Sequence, residues 1–204
     1  MKRAGFAVAL IAFLLSAIPA QAQVHYFITG LSGVTFKTVT SSNIGGGAGA
    51  SVSKRLDIFG EFGRFTDALP TSEKQTVLQT AAPLSRDGTA QIIGALPVTY
   101  ALAGARFRVT TTRYAPYVEA GVGTASITNH LSVTGGGVDL SAKSLTTPLT
   151  LPLSARDQIV VFGGGLSVKA KQVFLDVGYR YNRIMTPQPR INVGNVFTEV
   201  RVTF

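Results

Sequence analysis

Apolar and non-apolar residues alternate one by one along much of this chain, most regularly in its C-terminal half. Between Gln172 and Arg183, Val173, Leu175, Val177, Tyr179 and Tyr181 fall on one face. Phe174, Asp176, Gly178, Arg180 and Asn182 fall on the other. A period of two places successive side chains on opposite faces of an extended strand. The end of the chain repeats the pattern: Val196, Thr198, Val200, Val202 and Phe204 alternate with Phe197, Glu199, Arg201 and Thr203. Val118, Ala120 and Val122 oppose Tyr117, Glu119, Gly121 and Gly123. Ala101, Ala103, Ala105 and Phe107 oppose Tyr100, Gly104, Arg106 and Arg108, and Phe162, Leu166 and Val168 oppose Gly163, Gly165 and Ser167. Three earlier strands, diluted by Gly and Ser, are predicted near Tyr26 to Thr38, Ile44 to Ser53 and Leu56 to Thr66. In the third, Ile58 and Phe62 face away from Asp57 and Glu61.

The links between these segments have two lengths. Tight ones at Lys54-Arg55, Thr110 to Arg113 and Lys169 to Lys171 alternate with long ones near Asp67 to Ala90 and Asn129 to Arg156. Shorter members of the second set lie at Ser41 to Asn43 and Met185 to Pro189. Short turns at one end and longer loops at the other are the pattern of a membrane barrel with an even number of strands. A soluble sandwich also alternates, so the decision rests on the polar face. That face carries Gly121, Gly123, Gly163, Gly165 and Gly178 beside isolated charges. Glycine gives up packing and strand propensity on a water-washed face, but it suits the narrow interior of a barrel of about eight strands. In that interior Arg106, Arg108, Arg180 and Arg201 would meet Glu61, Glu119, Asp176 and Glu199, so that buried ions pair. The prediction is an all-β chain: a closed up-and-down antiparallel transmembrane β-barrel of about eight strands. Closure leaves no unpaired edge in hydrocarbon, and the segments reach the roughly 9 to 11 residues needed to cross. Tyr114, Tyr179, Tyr181 and Phe204 are candidates for interfacial girdles.

Composition agrees with this reading. Of 204 residues, 46% are hydrophobic and 14% charged, below the roughly 25% charged content of ordinary soluble domains. The first residues form a targeting segment. Lys2 and Arg3 precede the apolar stretch Ala4 to Ile18, and Ala20-Gln21-Ala22 fits a secretory cleavage site. Residues 1–22 are therefore expected to be a signal peptide and 23–204 the barrel. Taking Lys2 and Arg3 from the 19 basic residues leaves 17 against 10 acidic, a charge of +7 scattered over turns and loops with no stripe to track nucleic acid. The absence of Cys excludes disulfides, thiolate metal sites and a Cys nucleophile.

Leu56-Asp57-Ile58-Phe59-Gly60-Glu61-Phe62, Ala115-Pro116-Tyr117-Val118-Glu119-Ala120-Gly121-Val122-Gly123, Phe174-Leu175-Asp176-Val177-Gly178-Tyr179-Arg180-Tyr181 and the terminal Phe204 carry a resemblance to the small eight-stranded outer-membrane barrels of the OmpA-like and opacity-protein-like kind. The resemblance covers nearly all of the chain after the targeting segment. It implies an outer-membrane location, contact with lipid and lipopolysaccharide, and a monomeric state. It also implies that Val200, Val202 and Phe204 form the sorting signal for the barrel-insertion machinery. Because the chain stops at its last strand, the periplasmic peptidoglycan-binding domain of some such proteins is not expected.

Candidate chemistry is sparse. His130-Leu131-Ser132 resembles the His-x-Ser pair of outer-membrane lipid A deacylases, yet no acid stands at the expected distance. Asp139 follows Gly135-Gly136-Gly137, a poor position from which to orient a base. The two histidines, His25 and His130, give no metal-ligand spacing. Gly45-Gly46-Gly47 and Gly163-Gly164-Gly165 lack the following helix and Lys-Ser/Thr pair of a phosphate loop and read as strand glycines. The expected function is a non-enzymatic integral outer-membrane protein without cofactor or metal, with loops serving surface contact, adhesion or envelope integrity. The alternatives are a narrow ion channel through the charged interior, and a hydrolase using His130 and Ser132.

Overall fold

A computed structural model describes residues 24–36, 40–69, 71–84, 89–128, 130, 132–135, 138–139, 155–186 and 191–204. The targeting segment 1–22, with Ala20 and Ala22, lies outside the described residues, as do Leu131 and Pro189. Eleven strands are present among those described: β1 (His25–Phe36), β2 (Ser42–Ser51), β3 (Leu56–Phe65), β4 (Gln91–Ile93), β5 (Val98–Arg108), β6 (Tyr114–Ile127), β7 (Ser132–Gly135), β8 (Val138–Asp139), β9 (Ala155–Ala170), β10 (Val173–Ile184) and β11 (Ile191–Thr203). Eight of them close a barrel in the order β1-β11-β10-β9-β6-β5-β3-β2, with antiparallel pairing between neighbours. The fold expected from the alternation is the fold observed. β1 closes the ring on β11, in register from Phe27 against Thr203 to Phe36 against Gly194. No barrel edge is left to solvate its backbone.

Burial is inverted relative to a water-soluble sheet. Val122 is 63% exposed and Phe162 60%, whereas Arg180 is 2% exposed and Arg201 1%. Charged residues are almost never fully buried unless paired, and exposed apolar patches of this extent mark a lipid or partner surface. The outward apolar run ends on the loop side at Arg64, Thr124, Gln158 and Arg183, all exposed, and on the turn side at Tyr26, Tyr114 and Phe204. Of the girdle candidates, Tyr114 and Phe204 stand exposed at the turn end. Tyr179 is exposed farther along β10, and Tyr181 is half-buried.

The inward glycines make room for large interior side chains. A Cβ on Gly163 would stand 2.9 Å from Arg180 Cγ and 3.0 Å from Glu119 Oε1, and one on Gly178 would stand 2.8 Å from Tyr117 Oη. Outward Gly30 has open space instead. Both Gly-rich triplets lie within strands, Gly45-Gly46-Gly47 in β2 and Gly163-Gly164-Gly165 in β9.

Three details differ from the sequence expectation. The link expected at Asp67 to Ala90 contains a helix, α1 (Thr71–Ala81), and a short 3-10 turn. Among the helix side chains described, Val77 is the buried one, and the sequence carries only a weak helical stripe. β4, β7 and β8 form a three-stranded sheet over the loop end, and Val77 and Val133 pack together with Ala90 and Ile92. β2 starts at Ser42, so Asn43 belongs to a strand rather than to a link; it sits buried and accepts a hydrogen bond from the Tyr100 hydroxyl at 3.3 Å. Asp67 fastens the loop base, its Oδ1 accepting from the backbone N–H of Leu69 at 3.0 Å and of Leu96 at 3.1 Å.

Candidate functional site

The barrel interior has two storeys. The one nearer the short turns and the middle is ionic. Arg106 on β5 reaches Asp176 at 2.5 Å, Glu199 at 2.8 Å and Glu119 at 2.9 Å, drawing together β10, β11 and β6. Arg180 crosses the lumen from β10 to Glu61 on β3, with Nη1 donating to both carboxylate oxygens at 2.8 and 2.7 Å. Its Nε donates to Glu119 and its Nη2 lies 3.5 Å from Glu199. Arg201 bridges Asp57 at 2.5 Å and Asp176 at 3.1 Å, and Arg108 pairs with Asp57. The eight charged residues expected on the inward face are thus brought into one connected network.

The balance of four against four is corrected by Asp57, which is fully buried and holds two of the arginines. Five carboxylates therefore face four guanidiniums. Asp57 shares its face with Glu61 two pairs of residues along β3, so the alternation already placed it inside. Aromatic rings supply further support. The Arg106 guanidinium lies 4.5 Å from the Tyr117 ring, Arg180 lies 4.3 Å from Phe197, and Arg201 lies 4.5 Å from Phe174. Cation–π contact stabilises a desolvated guanidinium where water cannot. Tyr100 continues the network toward the loops, its hydroxyl donating to Glu61 at 2.9 Å. Asn182 donates to Asn195 at 2.8 Å.

The storey nearer the loops is mainly apolar, with Thr35, Asn43, Asn182 and Asn195 also buried at this end, which corrects the expectation of a polar lumen throughout. Phe65, Val98, Ile127, Ile159, Ile184 and Val193 are fully buried in one cluster. Ala68, Leu69 and Leu96 from the loop base complete it. Their parity was available in the sequence: Phe65 shares the face of Glu61, and Ile159 and Val161 share that of Gly163 and Gly165. One interior void beside the ions, between Phe27, Asp57, Arg106 and Glu199, is about 10 Å³. That is at the lower limit of the space one water needs. Ions and apolar packing together fill the barrel.

Among the described residues no group of three or more potential metal ligands occurs. His130 is exposed and its backbone N–H donates to Ala95 O at 3.3 Å; the Ser132 hydroxyl donates to Ile93 O at 3.4 Å. The hydroxyl thus points to the sheet backbone, and the side chain of Asp139 lies outside the described residues. Val200, Val202 and Phe204 all face outward, and the Phe204 N–H donates to Tyr26 O at 3.0 Å, tying the last strand to the first.

No family model and no curated protein matches the chain. Solved structures share its fold. The N-terminal β-barrel domain of Pseudomonas aeruginosa OprF is 14% identical, with 90% of this chain and 100% of that one covered and a TM-score of 0.55. Neisserial surface protein A is 17% identical, over 89% and 97%, with a TM-score of 0.53. Ail, the attachment invasion locus protein of Yersinia pestis, is 14% identical, over 90% and 100%, with a TM-score of 0.51. The likeness is one of fold: a small eight-stranded outer-membrane barrel.

Proposed function

We propose that this chain is exported by cleavage after Ala22 and inserted in a bacterial outer membrane, where it works as a non-enzymatic, non-conducting anchor for a surface platform. The observation that carries this reading is the filled interior: an arginine–carboxylate network closed on the loop side by the apolar cluster around Phe65 and Ile159. A channel needs a continuous wet path lined by groups that replace hydration, and desolvated ion pairs backed by packed aliphatic side chains oppose one. The platform consists of α1 and the β4-β7-β8 sheet, held over the loop end by Asp67 and Leu96. Loops on a rigid scaffold are where contact functions concentrate, and adhesion or envelope integrity fits a structure of this kind. In this reading the barrel is monomeric and touches lipid and lipopolysaccharide. Val200, Val202 and Phe204 are read by the insertion machinery.

Intact cells should show protease cleavage in residues 70–87 or 134–154, and the purified barrel should give no discrete conductance steps in planar bilayers. Protection of both segments on intact cells would contradict the surface platform, and stepwise currents altered by Arg106→Ala would contradict the plug.

A further inference from the structure

The turn end of the barrel opens into a bowl of about 990 Å³. Lys54, Arg113, Lys169 and Lys171 line it, Arg108 lies deeper against Phe174, and no carboxylate side chain is among its lining residues. Asp57 sits behind Arg108 and is fully buried, already held by Arg108 and Arg201. The charged side chains that line this concave surface are therefore all cationic, an arrangement that concentrates anions.

Two further observations bear on this end. The Nε of Arg108 is buried with no hydrogen-bond partner, in a residue 9% exposed. Lys171, in the tight turn between β9 and β10, has φ 58°, the one non-glycine with positive φ among the described residues. That left-handed conformation favours Gly, Asn or Asp. A lysine there accepts a backbone penalty and adds a cation to the rim, and a residue held in a sparsely populated conformation is a pointer to function.

We propose that this bowl binds a phosphate-bearing anion, as a phosphate mono- or diester. A phosphate group offers several acceptor oxygens and up to two charges, so it can accept from more than one of the lysine and arginine side chains that line the bowl. A carboxylate, with two oxygens and one charge, satisfies fewer of them. The volume admits a group larger than inorganic phosphate. The exposed Phe204 on the rim lies at the turn-side border of the lipid-facing belt, so a phospholipid headgroup can reach the same cations. The site depends on the turn end of the barrel and not on the surface role proposed for its loops.

The experiment uses the folded full barrel in two arms. In micelles of a phosphate-free, sugar-headgroup detergent, inorganic phosphate is titrated while the amide signals of Thr111 and Lys171 are followed by NMR. In nanodiscs, phosphatidylcholine alone is compared with a mixture containing phosphatidylglycerol. Saturable shifts are expected in at least one arm, and their midpoint should weaken at least about tenfold in the double variant Arg113→Gln/Lys169→Gln. Lys171→Asn suits the turn better and should leave heat-modifiable gel migration intact while weakening binding. Shifts with dissolved phosphate identify a free anion as sufficient, and shifts with phosphatidylglycerol alone identify the headgroup as the source. No saturable shift in either arm, or equal midpoints in wild type and both variants, would overturn the proposal.

Discussion

Arg106→Ala destabilises the folded barrel by about 3–5 kcal/mol, the scale set by removing one partner from a buried ion pair. Arg106 is 3% exposed and meets Asp176, Glu199 and Glu119. Its loss leaves Asp176 with Arg201 alone and Glu199 with the longer 3.5 Å contact to Arg180. Interior carboxylates already outnumber guanidiniums by one, so the variant raises that excess to two among buried side chains. The loss includes packing, because the guanidinium also lies against Tyr117. Urea titration of the barrel in lipid vesicles, followed by gel mobility of unheated samples, reads the change. Arg55→Ala, in an exposed turn, should stay within about 0.5 kcal/mol. A similarly small effect for Arg106→Ala would mean the network is not desolvated.

Val118→Arg costs about 2–4 kcal/mol of barrel stability in a bilayer, the range for a basic residue on the lipid face near the midplane. Val118 is 57% exposed and lies between Tyr114 at the turn-side border and Thr124 at the loop-side border of the apolar belt. Thr124→Arg, at that outer border, should cost about 0–1 kcal/mol. The contrast between two exposed positions on one strand is the informative quantity. On a sheet washed by water both substitutions would be mild. The same urea titration in vesicles reads both, and equal small costs would contradict a lipid-facing strand.

Much of this architecture was legible because a barrel writes its two faces directly into alternating residues. Val173 to Arg183 needed no more than parity to separate the belt from the ions. The charged interior is legible for the same reason, and the four-against-four balance omits Asp57 although its position beside Ile58 places it with Glu61. The apolar storey was harder to see. Its members, among them Phe65, Val98 and Ile184, come from strand ends and a loop base, where few residues alternate. An aliphatic residue on either face there looks like the same signal. Asn43 falls in the expected link Ser41 to Asn43, and the residue type alone does not argue against that, since Asn is common in turns. Its partner Tyr100, two strands away around the barrel wall, accounts for its place inside a strand. The α1 helix and the small sheet depend on contacts between distant loops, such as Val77 with Val133, which local pattern does not encode.

The orientation of the two faces is tested most directly by spin labels on single-cysteine variants, which the Cys-free sequence permits without background. Labels at Val118, Val122 and Val177, on barrel reconstituted in bilayers, should collide readily with lipid-partitioned oxygen and rarely with a water-soluble nickel chelate. A label at Thr124 should already gain nickel contact. Strong nickel relaxation at Val118, Val122 and Val177 would place those side chains in water and contradict the membrane barrel.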